Sequence, residues 1–135
     1  MSVKQEGSEN LLLINKLIES FRNRSDLSVL LRILREDIRL YTDDGPGPLT
    51  PPRLLFGIGQ CSKFLEAIHH AIKGPHYWKL CHLQGRPAAL FFRPRQQQPQ
   101  ALLIIEKQEE KIQKIEFLRH PDRIYKRLAG MSLEG

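Results

Sequence analysis

The chain has 135 residues, of which 41% are hydrophobic and 27% charged, and its net charge is +6. These totals are typical of one ordinary folded domain, and they exclude an intrinsically disordered chain. No apolar run approaches the roughly 18 residues of a membrane span, and the first residues lack the apolar core of a signal peptide, which favours a cytoplasmic protein without a membrane anchor.

The basic residues are spread along the whole chain. Nucleic-acid-binding proteins usually concentrate Lys and Arg on one element, often with aromatic side chains between them. Here only a mild excess occurs, at residues 86–95 and 119–127. The positive charge therefore favours a solvated surface over a nucleic-acid interface.

The N-terminal part predicts two amphipathic helices. Residues 1–9 are polar and are expected to form a disordered tail, after which Asn10 can cap a helix. In that helix and in a shorter second one, apolar side chains recur at three- and four-residue steps, at Leu13, Ile14, Leu17, Ile18 and Phe21 and then at Leu27, Leu30, Leu31 and Leu34. The two apolar faces need a partner, and a sheet is one candidate.

A short strand and a long loop follow. Residues 38–41 alternate apolar and polar side chains, as in a strand, and the Gly- and Pro-rich residues 42–52 predict a loop. Long loops are often functional, although a plain surface excursion fits equally well. A third helix is expected between Gly59 and Gly74, and residues 76–92 predict a hairpin.

The segment at residues 101–128 allows two interpretations. It is rich in Glu, Lys and Gln, which are good helix formers, so propensity alone favours a helix and hence a helical bundle. Residues 102–105, however, form an apolar block typical of a strand buried on both faces, and residues 114–117 alternate as in a half-buried strand. We predict a hairpin, because the preceding hairpin otherwise has no sheet to join. A short final segment and a tail over residues 130–135 end the chain.

The predicted order is helix, helix, strand, loop, helix, and then four strands in two hairpins. Helices segregated from an antiparallel sheet make an α+β domain. We expect one domain over residues 10–129, with about three helices on one face of a curved antiparallel sheet. A pocket between the two layers would be a common place for a ligand.

Four short segments, in order along the chain, carry a resemblance to a known family: residues 34–45, Gly57 with Phe64-Leu65, residues 84–88 and residues 119–124. Together they resemble the SnoaL-like branch of the nuclear transport factor 2-like superfamily, closest to the C-terminal domain of extracytoplasmic-function sigma factors. The resemblance covers nearly the whole chain and implies a cone-shaped α+β fold. One departure is Gly45-Pro46-Gly47-Pro48, which stands where the family has Gly-Gly-Gly-Lys.

The resemblance implies two classes of function. The first is a stand-alone, non-enzymatic domain that binds a small apolar molecule or a protein partner, possible partners being a transcription-related protein or a second copy in a homodimer. The alternative is a small cyclase, isomerase or dehydratase without a cofactor, in which a pocket carboxylate abstracts a proton. Aligning residues 36–38 with the family motif puts Thr42 on the base position. Thr42 cannot act as that base, so Asp43 next to it is the catalytic candidate if the alignment shifts by one residue, acting with His82 or Tyr41.

Three side chains are predicted to bind a ligand. Trp78 and His82 share one strand face, and Tyr41 ends the first predicted strand, so each can present a polar tip in an apolar pocket. The simpler alternative is that Trp78 fills the core and His82 is a satisfied buried histidine.

The loop carrying Asp43 and Asp44 is predicted to contact the segment carrying His120 and Asp122. This expectation comes from the resemblance, since the matching segments of the sigma factors lie together. For Asp43 and Asp44, capping of the loop through Asx-turns is the simpler alternative.

No metal site is expected. His69 and His70 are adjacent on a helix, Cys81 and His82 are adjacent on a strand, and neither pair points in one direction. Cys61 and Cys81 are expected to be free, buried thiols without an activating neighbour.

Overall fold

The computed structural model of the protein describes residues 2–22 and 27–134, with side chains described for residues 11–22 and 28–129. Within them, four helices and six strands follow one another. They are α1 (Ser2–Arg22), α2 (Leu27–Ile33), β1 (Leu34–Thr42), β2 (Arg53–Phe56), α3 (Gly57–Ala71), β3 (Tyr77–Leu83), β4 (Arg86–Phe92), β5 (Ala101–Gln108), β6 (Lys111–Leu118) and α4 (Pro121–Glu134).

The six strands form one curved sheet in the order β2-β1-β6-β5-β4-β3. Neighbouring strands are antiparallel except β1 and β6, which run parallel. The parallel pair is possible because a long crossover, from β2 to β5, separates the two strands in the chain. The predicted α+β cone fold is confirmed, and its sheet is mixed rather than purely antiparallel.

The segment at residues 101–128 contains the predicted hairpin. In it Leu103 pairs with Phe117, and Ile105 pairs with Ile115. Ile105 and Ile115 have no exposed surface. Burying a large aliphatic side chain contributes about 1.5–3 kcal/mol, which outweighs helix propensities of at most about 0.7 kcal/mol for ordinary residues.

The inner face of the sheet packs against α1, α2 and α3. Leu103 and Ile105 of β5 point inward and share one hydrophobic cluster with Leu17 of α1 and Leu65 of α3. Each of these side chains is at most 1% exposed. The apolar faces predicted for the first two helices therefore pack against the sheet.

The outer face of the sheet is covered in part by α4. Leu102 and Ile104, which alternate with the inward residues of β5, form a second cluster with Ile124 and Leu128 of α4. Because α4 lies over this cluster, the β1–β2 end of the outer face is left without a covering helix among the described residues.

Three boundaries differ from the predictions. Helix α1 begins at Ser2, ahead of the cap predicted at Asn10 and within the predicted N-terminal tail, whose Lys, Gln and Glu residues are good helix formers. Helix α2 ends at Ile33, so Leu34 belongs to β1 rather than to the helix. Helix α4 reaches Glu134, beyond the start of the predicted C-terminal tail. Within the described residues, no helix has the length and apolar character needed to cross a membrane.

Candidate functional site

The carboxylate of Asp43 lies where β1 has ended, against the segment between β6 and α4. Its side chain has no exposed surface. Oδ1 accepts hydrogen bonds from the backbone N–H groups of Gly45 and Arg119, each at 3.0 Å. Oδ2 accepts from the same Arg119 N–H at 3.0 Å and from the His120 N–H at 2.9 Å. Backbone donors from two distant parts of the chain thus converge on one carboxylate.

Two arginines complete this contact, which we call the Asp43 anchor (Asp43, Arg119, His120 and Arg123). Arg119 donates through Nη2 to the Asp43 carbonyl oxygen at 2.8 Å, and Arg123 Nη1 lies 3.8 Å from Oδ2. Arg123 also donates through Nη2 to the carbonyl oxygen of Thr50 in the same loop. A buried carboxylate is stable only when it is paired and hydrogen-bonded, and the anchor supplies both.

The anchor gives Asp43 no access to a substrate. A general base must come within hydrogen-bonding reach of the proton that it abstracts. Both Asp43 oxygens are already held by backbone donors, and the side chain is closed off from solvent. Thr42, on the aligned base position, is fully buried at the end of β1. The Asp43 carboxylate is therefore built to join two segments.

His120 forms the other half of the contact between the loop and the final segment. Its ring is held from both sides: Nδ1 accepts from the Asp122 backbone N–H at 3.2 Å, and Nε2 lies 3.0 Å from the Gly47 carbonyl oxygen. An N–H donor at one nitrogen and a carbonyl acceptor at the other assign the tautomer with its proton on Nε2.

The four residues predicted for this contact separate into two groups. The structure brings Asp43 and His120 together. Asp44 is exposed and accepts from Thr50 Oγ1 at 2.9 Å, and the exposed Asp122 takes part through its backbone N–H. The sequence reasoning missed the parts played by Arg119 and Arg123, because it treated the basic excess at residues 119–127 as surface charge.

Trp78 is partly buried and packs against the core on the inner face of the sheet. Its ring stacks on Phe21 of α1 at a centroid distance of 5.9 Å and meets Phe91 of β4 edge-on at 5.1 Å. Farther along the sheet, Phe64 of α3 packs on Phe117 at 6.1 Å. The buried Nε1–H of Trp78 donates to no atom among the described residues. Aromatic side chains thus occupy the inner side of the cone at these positions.

Tyr41, Trp78 and His82 do not share one site. Tyr41 lies on the outer face, because its neighbours Leu40 and Thr42 point into the core. His82 is exposed on β3, the last strand of the sheet, where it pairs with Pro87. The three predicted ligand-binding residues therefore lie in three different environments.

Solved structures with similar folds decide the fold family. A de novo designed protein with a curved β-sheet aligns over 93% of this chain and 97% of its own, with a TM-score of 0.64 and 13% identity. An NTF2-like protein of unknown function from Pseudomonas putida KT2440 aligns over 85% of this chain and 87% of its own, with a TM-score of 0.57 and 15% identity. The chain has the nuclear transport factor 2-like fold.

One of the solved structures with a similar fold is a sigma factor, the class of protein that the sequence was predicted to resemble. The extracytoplasmic function sigma factor SigJ of Mycobacterium tuberculosis aligns with a TM-score of 0.60 and 14% identity over 86% of this chain. The alignment covers 44% of that longer protein. No protein-family model matches the sequence, and neither does any curated protein.

The cysteines of this nuclear transport factor 2-like domain are free thiols. Burial raises the pKa of Cys61 to about 11, and burial also raises the pKa of Cys81 while nearby Lys79 lowers it. A thiol whose pKa lies above its ordinary value is a poor nucleophile at neutral pH. Within the part of the chain that the structure describes, no three His, Cys, Asp or Glu side chains converge as metal ligands.

The uncovered end of the outer face carries exposed apolar side chains, which we call the β1–β2 patch (Arg39, Tyr41, Leu54 and Phe56). Tyr41 pairs with Leu54 and Arg39 with Phe56 across the two strands, and directly opposed residues share a face. Leu54 is 39% and Phe56 54% exposed. The Arg39 guanidinium lies 5.7 Å from the centre of the Phe56 ring.

A cleft of about 360 Å³ lies beside this patch, between α4 and strands β1 and β6. Four of the side chains that line it are cationic, namely Lys114, Arg123, Lys126 and Arg127. Glu116 is the one carboxylate in the lining, and it is 5% exposed. Three of these cations belong to α4, within the basic excess at residues 119–127, and the fold places Lys114 of β6 beside them.

Proposed function

We propose that this chain is a non-enzymatic domain that binds a protein partner through the β1–β2 patch. The observation that carries the proposal is the exposure of Leu54 and Phe56, side by side on one strand face. Large apolar side chains grouped on a surface often mark a protein-binding site, whereas single exposed ones are ordinary.

The position of β2 adds to this support. It is the terminal strand of the sheet and pairs on one side with β1. Its other edge has no strand neighbour among the described residues, so an added strand could pair there. The Phe56 N–H donates to Gln60 Oε1 at 3.1 Å, a contact that an added strand would have to replace. Edge strands of this kind bind peptides by extending the sheet, and neighbouring side chains then give specificity.

The inner side of the cone offers less support for binding a small apolar molecule. Trp78 packs between Phe21 and Phe91 there, and Phe64 packs on Phe117. The cyclase, isomerase or dehydratase alternative also loses its candidate base, because the Asp43 carboxylate is enclosed by the anchor. These contacts favour recognition on the outside of the domain over chemistry within it.

We place the domain in the cytoplasm, with a transcription-related protein as its partner. Both statements rest on the resemblance to sigma-factor domains together with the likeness of fold. A second copy of the chain is the competing partner, since relatives of this fold dimerise through the outer face of the sheet.

The test is a capture experiment with matched variants. The double variant Leu54→Ser, Phe56→Ser removes the apolar part of the patch. The control Leu12→Ser, Leu31→Ser changes two apolar side chains of α1 and α2 that are 56% and 41% exposed, close to the 39% and 54% of the patch pair. We expect the wild type and the control to retain the same partner from extracts of the source cells, and the patch variant to lose it.

Sedimentation of the purified chain separates the two kinds of partner. A dimer that only the patch variant dissociates identifies a second copy as the partner. If no protein depends on Leu54 and Phe56, and an uncharged apolar compound instead raises the melting temperature, the proposal is wrong and the small-ligand alternative holds.

A further inference from the structure

The cleft between α4 and the sheet has an excess of positive charge. Its four cations and one carboxylate leave the lining with three net positive charges. Glu116 is shared, because Oε2 lies 2.5 Å from Arg127 Nη2 and Oε1 lies 3.6 Å from Lys114 Nζ. At the edge, Arg86 Nη1 lies 4.0 Å from Glu116 Oε1. Glu106 pairs there with Arg86 at 3.4 Å and with Lys114 at 3.5 Å. Arg86 and Glu106 together leave the net charge unchanged.

The remaining cations are not neutralised by this carboxylate. Arg123 lies in the cleft lining and forms a 3.8 Å ion pair with Asp43, which lies outside the lining. Lys126 is exposed and forms no ion pair among the described residues. Like charges gathered in a concave, partly desolvated surface attract an anion, because the low-dielectric walls strengthen their field.

The lining favours a phosphoryl group over a single carboxylate. Four cations against Glu116 and Asp43, the partner of Arg123, leave two positive charges at the cleft. A phosphate monoester carries nearly two negative charges at neutral pH, which suits this excess. Guanidinium groups donate in a planar fork that matches phosphate oxygens, and Lys acts as a flexible point charge. Arg127 uses Nη2 for Glu116, so its other N–H groups are available to a ligand.

The rest of the cleft is apolar and larger than a phosphate ion. The Tyr41 ring, Pro52 and the buried Leu118 form this part of the lining. The ammonium group of Lys114 lies 5.0 Å from the centre of the Tyr41 ring, so charge and a flat apolar surface meet at one place. A volume of about 360 Å³ falls within the range of sites for small organic molecules.

We propose that this cleft binds a phosphate monoester carried on a small, flat, apolar group. The phosphoryl group binds among Lys126, Arg127 and Lys114, and the flat group lies on Tyr41. This site goes beyond the proposed protein interaction, and its cationic residues do not belong to the β1–β2 patch.

Calorimetric titration of the whole chain with phenyl phosphate tests the proposal. We expect saturable binding that is stronger than that of inorganic phosphate, which lacks the ring, and stronger than that of benzoate, which has the ring and a single charge. Binding should weaken as salt is added, because charge attraction drives it. Equal binding of benzoate and phenyl phosphate, or no saturable binding of phenyl phosphate, would overturn the proposal.

Two variants separate this cleft from the general basic surface. Lys126→Gln should weaken phenyl phosphate binding by roughly tenfold, since a charge-assisted contact is lost. Lys107→Gln makes the same charge change on β5 at an exposed position outside the lining and should have less than about a twofold effect. An equal loss in both variants would show nonspecific attraction and reject the site.

A third variant tests the role assigned to the aromatic ring. Tyr41→Leu should retain inorganic phosphate binding but remove the preference for phenyl phosphate. Retention of that preference would contradict the position given to the flat group. The capture experiment with Leu54 and Phe56 is independent of these titrations, so either proposal can fail alone.

Discussion

The two faces of the sheet are built from alternate residues of the same strands, yet they are covered in opposite ways. On the inner face, Leu103 and Ile105 lie in an apolar layer closed by three helices. On the outer face, α4 is the helix that covers Leu102 and Ile104 among the described residues, and charged residues such as Glu116 share the surface. The difference teaches that the inner face supplies stability, while the outer face retains charge and exposed apolar groups, on which we base the proposed recognition.

Adjacent leucines of β5 test this difference directly. Leu102 and Leu103 are both without exposed surface and point to opposite faces. Leu103→Ala should lower the free energy of unfolding by about 3–5 kcal/mol, because its cavity lies within closed packing. Leu102→Ala should cost less, about 2–3 kcal/mol, because α4 can shift into the space. Urea unfolding of both variants measures the two values, and an equal or reversed order would contradict the comparison.

The Asp43 anchor fastens α4 to the rest of the domain, so its removal should loosen the outer face first. Asp43→Asn places an amide NH₂ against backbone donors and should cost about 2–4 kcal/mol. Amide hydrogen exchange should rise in α4 before it rises in α1 or α3. The exposed Asp44→Asn is the matched control and should cost less than about 0.5 kcal/mol. If Asp43→Asn unfolds at the same denaturant concentration as the wild type, the carboxylate is not a structural anchor.

The two cysteines give a pH-dependent form of the same comparison. Burial raises the pKa of Cys61 to about 11 from an ordinary value of 9.0. Between these pH values the folded chain keeps the Cys61 proton, whereas the unfolded chain releases it. The contribution of the protonated Cys61 thiol to stability is therefore complete below pH 9 and is lost as the pH rises through 11. The loss amounts to about 2–3 kcal/mol.

Unfolding of Cys61→Ala and Cys81→Ala across that pH range measures the effect. Cys61→Ala should flatten the fall in stability more than Cys81→Ala does, because Lys79 offsets part of the rise in the Cys81 pKa. Identical pH profiles for the two variants would mean that the inner thiol is no better shielded than the outer one.

Charge on the outer face should matter least for stability. Glu116 contacts Lys114, Arg127 and Arg86. Glu116→Gln should lower the free energy of unfolding by about 1–2 kcal/mol, because Arg127 loses its carboxylate partner while Lys114 and Arg86 keep Glu106. Glu109→Gln removes a carboxylate whose side chain is 79% exposed, so its ion pair with Arg35 should contribute at most about 0.5 kcal/mol. Thermal unfolding of the two variants at low and high salt measures both losses of stability. Equal losses would contradict the burial of the Glu116 ion pairs.

Strand alternation made most of the fold predictable, although one hairpin lacked its usual signal. The turn between β5 and β6 contains Glu109 and Glu110, with positive φ values of 53° and 70°. Such turns favour Asn and Gly, so this turn could not be recognised from residue type. The hairpin could instead be predicted from the apolar block of β5 and the need of the other strands for a sheet.

The candidate site was predictable only where the family resemblance reached. The resemblance placed Asp43 and His120 together, and the structure joins them through the His120 N–H. The position of Tyr41 could have come from Ile38 and Leu40, whose apolar alternation turns Tyr41 outward. The cleft could not be predicted, because its residues meet only through the pairing of β1 with β6 and the position of α4.

The emission of Trp78 tests the central claim, a closed inner face with recognition on the outer face. Trp78 is the single tryptophan of the chain, and its partly buried ring packs against the inner core, so its emission reports on that side of the sheet. Titration with an uncharged apolar dye should give no saturable quenching of this emission and no rise in melting temperature. Saturable quenching together with a higher melting temperature would show an open inner pocket and contradict the account.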